Sequence, residues 1–322
     1  MEIDLQQAAR LLDGWDDILI LAHQKPDGDA YGSAFALLWA LEWLGKRARV
    51  ETPDGYLPGY GFLFGNYTPE EFEPRFVVTT DVAGPGLLGP LADRWANRID
   101  LCIDHHRINN IDAAHKLVVP EAAATCQLTY EIIRELEVPF TPSMAGAVYT
   151  GIATDTGCFR YGNTTPEAHR IAAEMMEAGA DYALINKLMF DTKSKGRLEI
   201  DRLMMDTLEY YFDGRCAMIS ISSEAVERAG VSEEELDGIA GFPRSIEGVE
   251  AGVTLREKPD GDYRVSLRTT GELDASAICG RLDGGGHKNA AGCTVSGPLE
   301  RAKVQVLAAM EPNMSQESPP CP

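Results

Sequence analysis

The stretch 23-HQKPDGD-29 sets one imidazole and two carboxylates, His23, Asp27 and Asp29, around a Pro-Asp-Gly turn. Three further clusters offer the same kinds of atom: Asp81 after 76-FVVTT-80, 104-DHH-106 after 99-IDLCI-103, and Asp155 in 154-TDTG-157. Carboxylates gathered at one place repel one another unless cations neutralise them. Two divalent ions carry the positive charge that matches Asp27, Asp29, Asp81 and Asp155. An Asp/His set without cysteine favours Mn²⁺, with Mg²⁺ next and Zn²⁺ and Fe²⁺ left open. Two such ions about 3.5–4 Å apart activate a water and clamp a phosphoryl group. Taken singly, each Asp reads more readily as a helix N-cap than as a ligand, and each His as a satisfied core residue. Only the joint pattern points to a dinuclear site.

For these residues to meet, the elements before them must end at one edge. The runs 18-ILILA-22, 47-RARVE-51, 76-FVVTT-80 and 99-IDLCI-103 are short and built around Val, Ile and Leu, as strands of a parallel sheet covered on both faces are. Helical patterns alternate with them, among them 121-EAAATCQLTYEIIREL-136 and 143-SMAGAVYTGIA-153. The reading is a doubly wound α/β domain whose strand C-termini line one crevice. Around 163-NTTPEAHRIAAEMMEAGAD-181 a further helix begins, capped by Thr164 or Thr165 with Pro166 in its first turn. A charged helical stretch, 191-DTKSKGRLEIDRLMMDTLEYY-211, then leads to a new strand, 215-RCAMISIS-222, and a hairpin over 249–268 turning at Pro-Asp-Gly-Asp. The expected division is a metal-binding domain over 1–186, a linker helix over 187–210, a smaller α/β domain over 211–311 and an unstructured Pro/Ser-rich tail over 312–322.

At 322 residues, 44% of them hydrophobic, the chain is long enough for two packed cores. Its net charge of −21 argues against a broad basic surface for long nucleic acid. A small phosphorylated substrate remains compatible, because local cations reverse the field inside one cleft. No apolar run approaches the roughly 18 residues of a membrane helix. The seven cysteines are scattered without a C-x-x-C pair, and the start is acidic rather than signal-like, so the expected home is the reducing cytoplasm.

The motifs HQKPDGD, TTDVA, IDHH and TDTG, in this order, resemble the signatures of the DHH phosphoesterase superfamily, and 280-GRLDGGGHKNAAG-292 is similar to the GGGH motif of the associated DHHA1 domain. They span residues 23 to 292 and contain four of the six histidines. The compact two-domain size most resembles the nano-RNase / pAp phosphatase branch, whose members degrade very short oligoribonucleotides and 3′-phosphoadenosine 5′-phosphate (pAp). The resemblance implies an active site in the cleft between the two domains. It implies His23 and Asp27 as ligands of one metal, Asp29, His105 and Asp155 as ligands of the other, and Asp81 as the bridge. It puts His106 beside the phosphate, to stabilise charge or protonate the leaving oxygen, with Asp104 orienting the His pair.

In the second domain Gly284, Gly285 and Gly286 would let backbone N–H groups approach an anion ahead of a helix N-terminus. Arg268, at the end of the strand in 264-RVSLRTTG-271, is a forked donor suited to phosphate. The resemblance implies Arg268 and His287 at the far phosphate or base, so that this domain limits substrate length. Asp283 stands where family members often carry another glycine. Arg107 after the His pair, and Arg160 and Asn163 in 158-CFRYGNTT-165, are further substrate-binding candidates, whereas Tyr161 is read as packed.

The resulting expectation is a Mn²⁺-dependent hydrolase releasing 5′-mononucleotides from short oligoribonucleotides or linear dinucleotides, and AMP plus phosphate from pAp. The branch also makes a homodimer plausible. Rival readings are a cyclic-di-AMP phosphodiesterase, family II inorganic pyrophosphatase chemistry and, from another class, a non-catalytic nucleotide sensor. Degenerate sensors usually lose ligands, and here every signature position is filled.

Overall fold

The computed structural model describes residues 1–65, 67–232, 234–236 and 238–314. They form two compact units, one of Met1–Thr192 and one beginning at Lys193. Among the described residues the first unit holds a parallel sheet of β1 (Ile18–Leu21), β2 (Ala48–Glu51), β3 (Phe76–Thr80), β4 (Ile99–Asp104) and β5 (Ala113–Val118), in the order β2-β1-β3-β4-β5. Burial on both faces explains why β1 is apolar throughout. Ile18 and Ile20 of β1 enter one core cluster, and Leu19 and Leu21 enter another on the opposite face. The edge strand β5 was not expected: its sequence, AAHKLV, mixes exposed and half-buried positions and offers no apolar run.

On one face the helix Gly28–Trp43 is buried along most of its length against the helix Pro142–Asp155. Two glycines set how close these helices come. A Cβ on Gly32 would lie 2.5 Å from the carbonyl oxygen of Ala147, and one on Gly151 would lie 2.7 Å from Oδ1 of Asp29. Only glycine permits that approach, and it draws the start of one helix toward the end of the other.

The second unit holds β6 (Glu209–Tyr211), β7 (Cys216–Ile221), β8 (Ala251–Glu257), β9 (Tyr263–Thr269), β10 (Gly285–His287) and β11 (Ala290–Val295), in the order β10-β11-β9-β8-β7-β6. Only the β7–β8 pairing is parallel among them. One face of this sheet packs on the helices Ala275–Gly280 and Leu299–Met314.

Three expectations change. The stretch 187–210 is not one helix. A π-helical turn, Lys187–Asp191, is followed by a break and then the helix Lys195–Met205, which starts where Ser194 accepts a hydrogen bond from the Arg197 N–H. The helix expected from Glu121 begins at Thr125 instead. The C-terminal helix runs to Met314, past Pro312, because Met310 and Met314 are buried in the second core; the remainder of the expected tail, 315–322, lies outside the described residues.

Candidate metal centre

In a sheet ordered β2-β1-β3, the chain leaves β1 toward one side and returns at β3 on the other, which opens a crevice beyond their C-terminal ends. His23 follows β1 and Asp81 follows β3, and His23 Nε2 lies 3.5 Å from Asp81 Oδ2. Asp81 is 3% exposed and sits at φ 60°, a left-handed conformation that costs a non-glycine residue energy and recurs at functional sites. Asp27 caps the helix Gly28–Trp43, its Oδ1 accepting from the N–H groups of Asp29 and Ala30 at 3.0 Å. The cap and candidate-ligand readings of Asp27 are therefore compatible.

Among the described residues, two separate groups of donor atoms result, each gathered within 4.8 Å, His23, Asp27 and Asp81, and Asp29, His105 and Asp155, and a third group, Asp81, His105 and His106, joins them. Asp81 faces both. Its Oδ2 is turned to His23, while its Oδ1 lies 3.8 Å from His105 Nε2 and 3.7 Å from His106 Nδ1. His105 Nε2 also lies 3.8 Å from Asp29 Oδ2 and 3.6 Å from Asp155 Oδ2. The far nitrogens are held by backbone: Nδ1 of His23 by the Gln24 carbonyl at 2.7 Å, and Nδ1 of His105 by the Ala122 carbonyl at 3.2 Å. A carbonyl partner requires a proton on Nδ1, so Nε2 is the nitrogen that, once it gives up its own proton, can ligate a metal on the carboxylate side.

Charge gives a separate test of fit. Burial, then Asp81, Asp155 and Asp27, push the Asp29 carboxyl well above the usual carboxylate range. Burial and the same acidic neighbours outweigh His105 and raise Asp155 to about 6. Burial opposes charging His23, yet Asp27, Asp81 and the Gln24 carbonyl outweigh it and push the imidazole up to about 11. The cluster thus takes up protons where it needs positive charge, and divalent cations held by these Asp oxygens and His nitrogens would supply that charge instead.

Beside this group, Asp104 is fully buried and accepts from the His105 backbone N–H and from His106 Nδ1, both at 2.8 Å. Asn109 donates to its other oxygen at 2.6 Å. The Asp104 contact, working against burial, raises His106 to about 9. Thr125 donates its hydroxyl to Asp81 Oδ1 at 3.0 Å. Neither Asn109 nor Thr125 was singled out from the sequence. Asn109, a short amide just after the His pair, carried a local signal; Thr125 carried none.

Of the other candidates, Arg107 and Arg160 are exposed, and Arg160 Nε donates to the Gly157 carbonyl at 2.6 Å. Asn163 lies against the loop that carries Asp155. Its amide donates to the carbonyls of Ala123 and Asp155 and to Asp155 Oδ2, at 3.0, 3.2 and 3.4 Å, so its donors serve the chain itself. Tyr161 is 59% exposed rather than packed.

In the second unit Arg268 and Gly284 to Gly286 line a groove of about 940 Å³, together with Asp283; His287 is exposed on β10 and is not among the residues lining it. The glycines do not precede a helix. β10 turns back on β11, with Gly285 opposite Gly292. A Cβ on Gly284 would lie 2.3 Å from the Gly292 carbonyl oxygen, and one on Gly286 2.5 Å from that of Ala290. Their small size lets an edge strand lie against its neighbour, and no helix N-terminus follows to attract an anion.

Residues 17–152 match the N-terminal domain of the DHH family, and residues 218–315 match the DHHA1 domain. The chain is 36% identical over 93% of its length to a bifunctional oligoribonuclease and PAP phosphatase, NrnA, of Thermus thermophilus, covering 90% of that protein. It is 27% identical over 89% of its length to the cyclic-di-AMP phosphodiesterase GdpP of Bacillus subtilis, covering 47% of that protein. In structure it is similar to an exopolyphosphatase-related protein from Bacteroides fragilis, with a TM-score of 0.84 at 24% identity, over 97% of this chain and 98% of the other.

Proposed function

Because the chain belongs to the DHH family, with a DHHA1 domain in its second unit, and is therefore a hydrolase of phosphoester bonds, we propose that it uses Mn²⁺ to cleave short oligoribonucleotides to 5′-mononucleotides and pAp to AMP and phosphate. The observation that carries this reading is the pair of donor groups with Asp81 facing both. When bound, two divalent ions supply Lewis acidity that activates water and offsets phosphoryl charge.

The chain's own residues supply the rest. Asp81 and Asp29 are buried and locked by Thr125 and by backbone N–H groups, so their oxygens are fixed before substrate arrives. Asp104 holds the proton on His106 Nδ1 and favours the charged form of the ring. From there Nε2 can stabilise charge on a phosphoryl oxygen or hand a proton to the leaving oxygen. Asn163 acts as a positioning residue for Asp155. Arg268 binds the non-reacting part of the nucleotide.

Cyclic-di-AMP hydrolysis is the second reading, favoured by the similarity to GdpP over most of this chain. A panel of pAp, linear di- to tetranucleotides and cyclic-di-AMP, run with Mn²⁺ and with excess chelator, separates them by product chromatography. The proposal expects pAp and linear oligomers to turn over and the chelated enzyme to be silent. Turnover of cyclic-di-AMP alone would replace it.

A further inference from the structure

Cys279 stands at the end of the helix Ala275–Gly280, and that helix packs on β11, which carries Cys293. Both side chains belong to the second core, at 1% and 9% exposed. One residue touches both. Gly284 donates its N–H to the Cys279 carbonyl at 2.9 Å, and a Cβ on it would lie 2.4 Å from the Cβ of Cys293. The turn that follows the helix is thereby held against both cysteines. Their thiols share a hydrogen bond, so the two sulfur atoms are in contact.

A buried free cysteine packs as a small hydrophobe, and packing alone asks for no second sulfur beside it. Here the thiol of Cys293 and the charge of Arg268 draw the Cys279 thiol below its ordinary range against burial, while the same contact and burial push Cys293 up. The pair therefore favours one thiolate beside one thiol, the state from which a disulfide forms. Burial instead raises the thiols of Cys102, Cys126 and Cys216, which makes them poor nucleophiles. Access is from the groove side. Cys293 borders the groove, and the edge strand β10 is three residues long and exposed throughout. A short edge strand that buries so little opens locally at low cost, which admits a small oxidant.

We propose that Cys279 and Cys293 are a modification site at which hydrogen peroxide closes a reversible disulfide, and that closure disturbs the neighbouring groove. One sulfur, as thiolate, attacks a peroxide oxygen; the O–O bond breaks, the departing hydroxide takes a proton to leave as water, and the sulfur becomes a sulfenic acid. The second sulfur then attacks the first, the S–O bond breaks, and the hydroxyl leaves with that thiol's proton as a second water. The two cysteines lose two electrons and two protons, and peroxide gains both. A small thiol such as glutathione reverses the bond by exchange. A disulfide holds its sulfurs at about 2.05 Å, closer than a thiol hydrogen bond does. Closure therefore draws the helix end onto β11 and moves Leu282, Asp283 and Gly284, which line the groove with Arg268. The effect on turnover rests on the nucleotide reading above; the cross-link does not.

The test oxidises the full chain with hydrogen peroxide in EDTA, removes the peroxide, and divides the sample between peptide mass analysis and kinetics after reloading with Mn²⁺. The expected product is a peptide pair joined through Cys279 and Cys293, lighter by two hydrogens and separated by dithiothreitol. For a dinucleotide, kcat/KM should fall about tenfold on oxidation and recover with dithiothreitol. Peroxide-treated Cys279→Ser and Cys279→Ala should keep their rates, and a chromogenic phosphodiester with no second nucleotide should change less than about twofold. Unlinked cysteines at both positions, or equal peroxide losses in wild type and the two variants, would overturn the proposal. A cross-link without loss of dinucleotide turnover would overturn its effect on the groove. If the wild type cleaves no dinucleotide, the substrate reading fails, yet the peptide cross-link still decides whether the pair is oxidised.

Discussion

The carboxylate of Asp29 accepts the backbone N–H of Cys126 at 2.8 Å, although 97 residues separate them. Its second oxygen accepts the N–H of Thr125 at 2.7 Å. These are the first N–H groups of the helix Thr125–Glu135, whose own N-cap residue, Ala124, has no side chain able to cap it. Asp29 therefore caps a distant helix while facing His105 and Asp155.

Replacing Asp29 should consequently cost stability even without metal. Asp29→Ala is expected to lower metal content and, separately, to destabilise the EDTA-treated protein by about 1–2 kcal/mol through the lost cap. Relief of carboxylate repulsion works the other way, so denaturant titration of both forms is the measurement. Equal stability of variant and wild type in EDTA would mean that Asp29 does not support the fold.

Asp81→Ala should abolish turnover. A supporting group at a metal site commonly costs ~10–100-fold, and a residue facing both donor groups should cost more. At φ 60° the backbone also prefers glycine, so Asp81→Gly should be more stable than Asp81→Ala by about 1 kcal/mol while being equally inactive. Near wild-type rates with unchanged metal content would remove Asp81 from the centre.

The metal-free protein should lose stability as pH rises from about 6.5 to about 9. His23 is raised to about 11 and His106 to about 9, so in this window the folded state holds protons that the unfolded state has released. Their contribution is complete below the unfolded pKa and fades as pH climbs. Mn²⁺ should flatten the dependence, and its binding should release protons, visible by calorimetry in buffers of different ionisation enthalpy. A metal-free melting temperature that climbs over this range would contradict the raised imidazoles.

Arg268→Ala should reduce kcat/KM for dinucleotides about ten- to a hundredfold, as expected for a lost charge-assisted contact. A chromogenic phosphodiester with no second nucleotide should lose far less. Equal losses on both substrates would make Arg268 a structural residue.

Much of this was legible in the chain itself. Short, mainly apolar runs gave β1, β3 and β4, because strands buried on both faces leave few polar positions to break the pattern. The residue types just after them marked an Asp/His centre, and a Thr164 or Thr165 cap before Pro166 marked a helix start, with Thr165 the cap in the structure. The edge strands β5 and β10 escaped, because they bury little and so carry little pattern. What the sequence could not contain was orientation. That Asp81 turns one oxygen to His23 and the other to His105, that Asn163 serves Asp155, and that Asp29 caps the helix after Ala124 all depend on how β1, β3, β4 and two glycine-thinned helices pack. Spacing along a chain sets which elements a residue ends; only close packing sets the few ångströms and the lone-pair direction on which ligation and hydrogen bonding depend.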